Sequence, residues 1–345
     1  MRQIQTLREL EELFQAGFEN NEDSLEQFGK TYSTQLKAYL IESNLSLDRV
    51  RCQFGEWKRL DATDWYANLS PQYPNSFFLD TSRDRVWILY SLIDATKSDS
   101  IINDWIKNNK GLDKCWLSRK HLLHWENMNG WVERGLGLRF LDGLSPEETA
   151  SNLSFKAWYG ANRHIQSLYL LLEKAKEDFA IYSVRWQKRS GGSISISTEW
   201  YSDGKVTINR ATDVDETLLW ISEMANRYTD ALKEATDLRN SAVGAFEIDF
   251  SQEIDLNAFS STVAKGKGEM NLWLVETENS PDFRRFKGID LHTWDRILLD
   301  LGPDYAHMTI PANGCVNAAP RLAVTQGEDN AGKATIYHDG VEVFA

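Results

Sequence analysis

Carboxylates and histidines two residues apart on an extended strand project to one side, where they can share a cation or a proton. The sequence offers such a pair in Phe246-Glu247-Ile248-Asp249-Phe250. Side by side, Glu247 and Asp249 could hold Mg²⁺ for phosphodiester hydrolysis, with Asp290 and His292 on a later strand as catalytic helpers. The same alternation is what a half-exposed strand shows, with Phe246, Ile248 and Phe250 turned to a core and the acids to water. Pro281-Asp282 ahead of Asp290-Leu291-His292 gives a nuclease-like order of acids, but no lysine stands where the catalytic one is required.

His121-Leu122-Leu123-His124, with Glu126 beyond, sets two histidines on one helix face, where they could share Zn²⁺. Neither an HExxH motif nor a cysteine cluster completes that site. Two clusters could grip phosphate while an aromatic ring stacks a base. One is Arg185, Lys188 and Arg189 around Trp186; the other is Arg284, Arg285 and Lys287 around Phe286. As solvated strand ends they need do neither. Lys265-Gly266-Lys267-Gly268 lacks the spacing of a phosphate-binding loop, and GxSxG and GxGxxG are absent. That lowers the standing of the common hydrolase, dinucleotide and kinase classes.

Composition narrows the field further. The 345 residues carry a formal net charge of −13, which disfavours general coating of nucleic acid and leaves only local basic patches for it. Cys52, Cys115 and Cys315 are odd in number and widely spaced, as expected of free thiols in a reducing compartment. No apolar signal core follows Met1, and no run of 18 apolar residues occurs, so the expected location is the cytoplasm, away from membranes. Thirteen tryptophans exceed what an ordinary core requires. Such rings concentrate in cores and at interfaces.

These groups must be positioned by elements that periodicity foretells. Leu7, Leu10 and Phe14, then Leu25, Phe28, Tyr32, Leu36 and Leu40, repeat at helical spacing over residues 4–41 and predict a helical hairpin. Its stripe needs a partner, either the body of the protein or another chain. Arg85–Ile93 reads as a strand covered on both faces. Ser98 is the expected N-cap of the helix that follows, and Gly135–Asp142 alternates as a strand, so a small mixed sheet is expected here. Ser145-Pro146-Glu147-Glu148 is a capping box whose helix should run to about Phe179.

Beyond it, Ile194–Trp200 and Val206–Ile208 form a hairpin. A three-residue loop, Ser202-Asp203-Gly204, keeps one apolar face by pairing Trp200 with Val206 and Thr198 with Ile208. Ala180–Trp186 supplies a third strand, and Asp213-x-x-Glu216 opens a long helix. From 241 onward strands dominate, the last of them broken by a His338-Asp339-Gly340 turn.

The expected fold is therefore α+β, with a helical hairpin arm over 1–45, a mixed α/β region over 46–240 and a β-rich domain over 241–345. The leading functional expectation is a non-catalytic subunit of a larger cytosolic complex. It would dock other proteins through Leu7, Leu10, Phe14, Phe28, Tyr32 and Leu36 and needs no cofactor. The alternative is a divalent-metal-dependent hydrolase acting on phosphodiesters through the strand-borne carboxylates.

Overall fold

The computed structural model describes residues 3–19, 35–52, 55–126, 128–141, 152–158, 174, 180–241, 244–264, 266, 269–328 and 333–344. Among these residues two antiparallel sheets pack around a long helix, an α+β architecture whose C-terminal part is β-rich.

The chain starts with helix α1 (Leu7–Phe18), capped by a box in which the Thr6 hydroxyl accepts from the Glu9 amide and the Glu9 carboxylate reaches back. The first sheet follows. Its path runs β2 (Trp57–Arg59), β3 (Trp65–Asn68), β4 (Phe77–Asp80), β5 (Val86–Ser91), β1 (Lys37–Ser43), β11 (Lys205–Ala211), β10 (Ser193–Tyr201), β9 (Ala180–Ser190), β7 (Trp131–Leu141) and β8 (Asn152–Trp158). The short strand β6 (Leu112–Lys114) takes over from β11 beside the C-terminal half of β1.

Strands β1, β4 and β5 are buried throughout because both faces of the sheet are covered. On one side Tyr39, Ile41, Phe77, Leu79, Trp87 and Leu89 pack with Ile102 and Trp105 of helix α2 (Ala95–Asn108). On the other, Ala38, Leu40, Phe78, Ile88 and Tyr90 join the main core. That core also holds the apolar face of α4 (Val214–Ser241), with Ile221, Ala225, Tyr228 and Leu232 buried along it. Helix α3 (Arg119–Leu122) leads into a cage of tryptophans, where Trp125 meets Trp131, Trp186 and Trp200 at ring-centroid distances of 5.5, 6.4 and 4.8 Å. Most of the surplus tryptophan is core.

The second sheet is built from β12 (Phe246–Phe250), β13 (Leu272–Ser280), β14 (Phe283–Asp290), β15 (Arg296–Leu301), β16 (Tyr305–Thr309), β17 (Ala334–His338) and β18 (Val341–Val343). Their order is β13-β14-β15-β16-β12-β17-β18, with α5 (Leu256–Val263) packed on β13 and α6 (Ala318–Leu322) following β16. Helix α4 touches β5 of the first sheet and β17 and β18 of the second, and so couples them.

Several expectations hold in detail. The hairpin pairs Trp200 with Val206 and Thr198 with Ile208, and Gly204 is left-handed at φ +79°. Asp213 caps α4 by accepting from the Glu216 amide, and Asp339 and Gly340, at φ +51° and +74°, turn β17 into β18. Others are corrected. Lys37–Ser43 is the buried central strand β1, not the end of a second helix, because both its faces find apolar cover that an exposed hairpin would lack. Residues 20–34, including Phe28 and Tyr32, lie outside the described residues. Helix α2 begins a turn before Ser98, since the Asp94 carboxylate accepts from the amides of Thr96 and Lys97. The small mixed sheet is instead part of a large antiparallel one. Residues 152–158, expected to be helical, form β8, paired with β7. The capping box at 145–148 lies outside the described residues.

Candidate active site between the two sheets

The side chains that alternate along β1 toward the main core are Ala38, Leu40 and then Glu42, an acid where the pattern asks for another apolar residue. Glu42 is fully buried, set between Val86 and Asp113 in the sheet register. Arg85 enters β5 at φ +63°, a conformation unfavourable for a long side chain, and its guanidinium pairs with Glu42 Oε1. The second sheet supplies the rest. After β14 the Asp290 carboxylate accepts the His292 amide at 2.9 Å and fixes a turn. The turn docks on the first sheet because the Gly111 amide donates to the His292 carbonyl at 2.9 Å. Cys315 arrives on the segment between β16 and α6 and is buried with His292.

His292 Nδ1 donates to the Leu112 carbonyl at 2.8 Å, which fixes the ring and leaves Nε2 facing the cluster. Nε2 lies 3.0 Å from Glu42 Oε2. Since a carboxylate only accepts, that nitrogen carries a proton as well, and the ring is an imidazolium. Burial pulls the His292 pKa down, but its hydrogen bonds to Cys315 and Glu42 and the charges of Asp113 and Glu42 outweigh burial and hold it well above the histidine range. Burial likewise pushes Glu42 up, and the hydrogen bond and charge of His292 with the charge of Arg85 hold it below its ordinary value. The Cys315 sulfur receives the Asn44 amide and the Arg85 guanidinium, each at 3.3 Å, and lies 3.6 Å from Glu42 Oε1.

A second buried network braces this one. Arg321 bridges Asp113 and Asp290. Asn317 donates to Asp113 at 2.9 Å and accepts from the Tyr228 hydroxyl at 2.6 Å. The residues that orient His292 are thereby tied to α4. Arg85 and Asn44 also line a groove of about 1030 Å³ with Val50, Trp57, Tyr66 and Arg83. Its acids Asp48, Glu56 and Asp84 offset Arg83 and Arg85, so it is no track for a polyanion.

The residues singled out in the sequence distribute differently. His292 is in the cluster, and Asp290 sits one shell behind it, paired to Arg321. Glu247 and Asp249 point outward from β12, exposed, while Asp290 and His292 are buried. The four therefore do not form one site. The basic residues do not converge either. Lys188 pairs with Glu216, Arg284 is buried against Asn257, and Arg285 makes a two-pronged pair with Asp300; Arg185 lies over the Trp158 ring. Arg189 and Lys287 are exposed. His121 and His124 turn to separate partners, Ser118 and the Glu223–Arg227 pair. Of the docking stripe, Leu10, Phe14 and Leu36 are buried and Leu7 packs on the same core. Its partner is the body of the protein, and the arm is closed to a second chain at those positions.

The fold and cluster define an α+β protein of two antiparallel sheets with a histidine–carboxylate–thiol centre at their junction. By sequence the chain belongs to the MJECL33-like protein family, whose model matches residues 1–326. It is similar to the protein MJECL33 of Methanocaldococcus jannaschii, described as uncharacterized, at 24% identity, with 83% of this chain and 82% of that protein covered. Among the described residues no helix is long and apolar enough to cross a membrane.

Proposed function

We propose that the chain is a cytosolic hydrolase acting on a small polar substrate held in the groove beside Asn44 and Arg85. The carrying observation is the meeting of Glu42, His292 and Cys315, three groups of different chemistry, directly behind two residues of the groove wall. The Leu112 carbonyl fixes the imidazolium, so His292 Nε2 is the proton carrier, and Glu42 stabilises its charged form. Arg85, a quarter exposed, is the cation available to an anionic oxygen that develops in the groove. Cys115 and Cys315 are buried and Cys52 half-buried, and none is in a disulfide among the described residues, which suits a reducing compartment. The test is turnover of p-nitrophenyl acetate and bis(p-nitrophenyl) phosphate by the wild type and by His292→Gln. Turnover that falls at least about a hundredfold in the variant, within the range usual for a general acid–base, supports the reading. Equal rates in both proteins would end it.

Docking of another protein has separate support from the edge strand β13, where Trp273 and Val275 are 52% and 61% exposed on one face. In this second reading the chain is an assembly subunit that offers β13 rather than its N-terminal arm. Trp273→Glu should then abolish co-purification of a stoichiometric protein partner from the native cell while leaving turnover intact. Unchanged co-purification would count against it.

A further inference from the structure

We infer that Glu42, His292 and Cys315 form a binding site for a first-row transition metal of the zinc class, with Asn44 at its centre. This rests on the hydrolase reading only in giving the metal a task, and with metal bound His292 Nε2 is a ligand that no longer carries the proton; the geometry stands apart from it.

The donor atoms lie within 4.8 Å of one another, and all three residues are buried. A tetrahedral ion with arms of about 2.0–2.3 Å to oxygen, nitrogen and sulfur has donor–donor edges of about 3.3–3.8 Å. Each Glu42 oxygen stands near that figure from one partner, Oε2 at 3.0 Å from His292 Nε2 and Oε1 at 3.6 Å from the Cys315 sulfur. The three side chains also converge on one point. The Asn44 Nδ2 nitrogen lies 2.9 and 3.2 Å from the Glu42 oxygens, 3.1 Å from His292 Nε2 and 3.3 Å from the Cys315 sulfur. An amide nitrogen carries two hydrogens and cannot serve four neighbours. A metal ion can serve them all, and rotation of the amide would offer its carbonyl oxygen as a fourth ligand.

Two further features fit. His292 is oriented through its other ring nitrogen by a backbone carbonyl, the usual support of a metal-bound imidazole. Arg85 sets its guanidinium against the same Glu42 oxygen and the same sulfur, as a cation competing for the ion's place. Its side chain borders the groove and can withdraw into it. Metal entry then exchanges the protons on Nε2 and Sγ, released to solvent, for two coordination bonds. Cys315 is thereby assigned as a ligand and not as a nucleophile.

The experiment uses the full chain purified without a metal-affinity tag. Elemental analysis should find one metal ion per chain. Co²⁺ titrated into metal-free protein should give a thiolate-to-cobalt charge-transfer band that Cys315→Ser abolishes. Glu42→Gln should weaken binding at least about tenfold, the effect expected of losing a ligand or its support. Arg85→Gln and Asn44→Asp keep the three ligands and should bind Co²⁺ more tightly than the wild type, by removing a rival cation and adding a carboxylate. No metal in the wild type, or a Co²⁺ spectrum unchanged by Cys315→Ser, would overturn the inference. The two readings fail separately. Protein that holds no metal, yet turns over and loses turnover in His292→Gln, sinks the metal site and leaves the hydrolase; stoichiometric metal with turnover insensitive to His292→Gln does the reverse.

Discussion

Acid should destabilise this protein through His121 before it titrates most of the carboxylates. His121 is fully buried at the start of α3. Its Nδ1 is matched to the Ser118 hydroxyl, and its Nε2 has no hydrogen-bond partner among the described residues. A proton added at Nε2 would create a buried cation near Arg227 with no acceptor. Burial first, then the charges of Arg227 and His124, lowers its pKa to about 3. In the unfolded chain the value is about 6.5, so the unfolded state binds the extra proton between those limits. Stability is therefore complete above pH 6.5 and lost progressively as pH falls toward 3. At pH 5 the cost is RT times the logarithm of about 32, or about 2 kcal/mol. Urea unfolding of the wild type and of His121→Gln at pH 7 and pH 5 isolates it, because other titrations cancel between the two. The wild type should lose about 2 kcal/mol more than the variant over that interval. Equal losses would refute the assignment of a neutral, desolvated imidazole.

Other substitutions test the architecture. Phe14→Ala should lower stability by about 3–5 kcal/mol in chemical denaturation, since the ring is buried between Phe78 and Tyr90 rather than offered to a partner. Gly204→Ala should lower Tm by at least the equivalent of about 1–2 kcal/mol, the strain of a left-handed residue. The added Cβ would also meet the Cys115 carbonyl at 2.6 Å and the Leu40 carbonyl at 3.0 Å. Arg321→Met should cost about 3–5 kcal/mol by urea unfolding, because it leaves Asp113 and Asp290 buried without their cation.

What the sequence disclosed followed from local rules. The Ser202–Gly204 loop could be chosen because only one register keeps Trp200 and Val206 on a shared face, and the strands from 246 onward alternate over short lengths between clear turns. The misreading of Lys37–Ser43 arose where periodicity is weakest. A strand buried on both faces shows no alternation, and Leu36 and Leu40 happen to fall four apart. That error hid the site. Read as a strand, Tyr39-Leu40-Ile41-Glu42 would have shown an acid turned into the core, which calls for a cationic or metal partner. His292 was visible as a candidate, but its companions are not: Arg85, Asn44 and Cys315 carry no spacing signature, and only tertiary pairing brings them together. The exposed Glu247 and Asp249 drew attention because adjacent acids are conspicuous in sequence, whereas a buried site needs distant ones.

The separation of Glu42 from Cys315, 273 positions along the chain, has a consequence for biosynthesis. At about 5–20 residues per second, Glu42 leaves the ribosome on the order of 15–55 s before its last partner does. Throughout that interval β1 can pair with β5, yet the acid has only Arg85 and Asn44 to answer it. The first sheet is therefore held from closing its inner face until the C-terminal sheet exists to deliver His292 and Cys315. Loss of either residue should then show less in the finished molecule than in the yield, as chains caught half-assembled and passed to proteolysis.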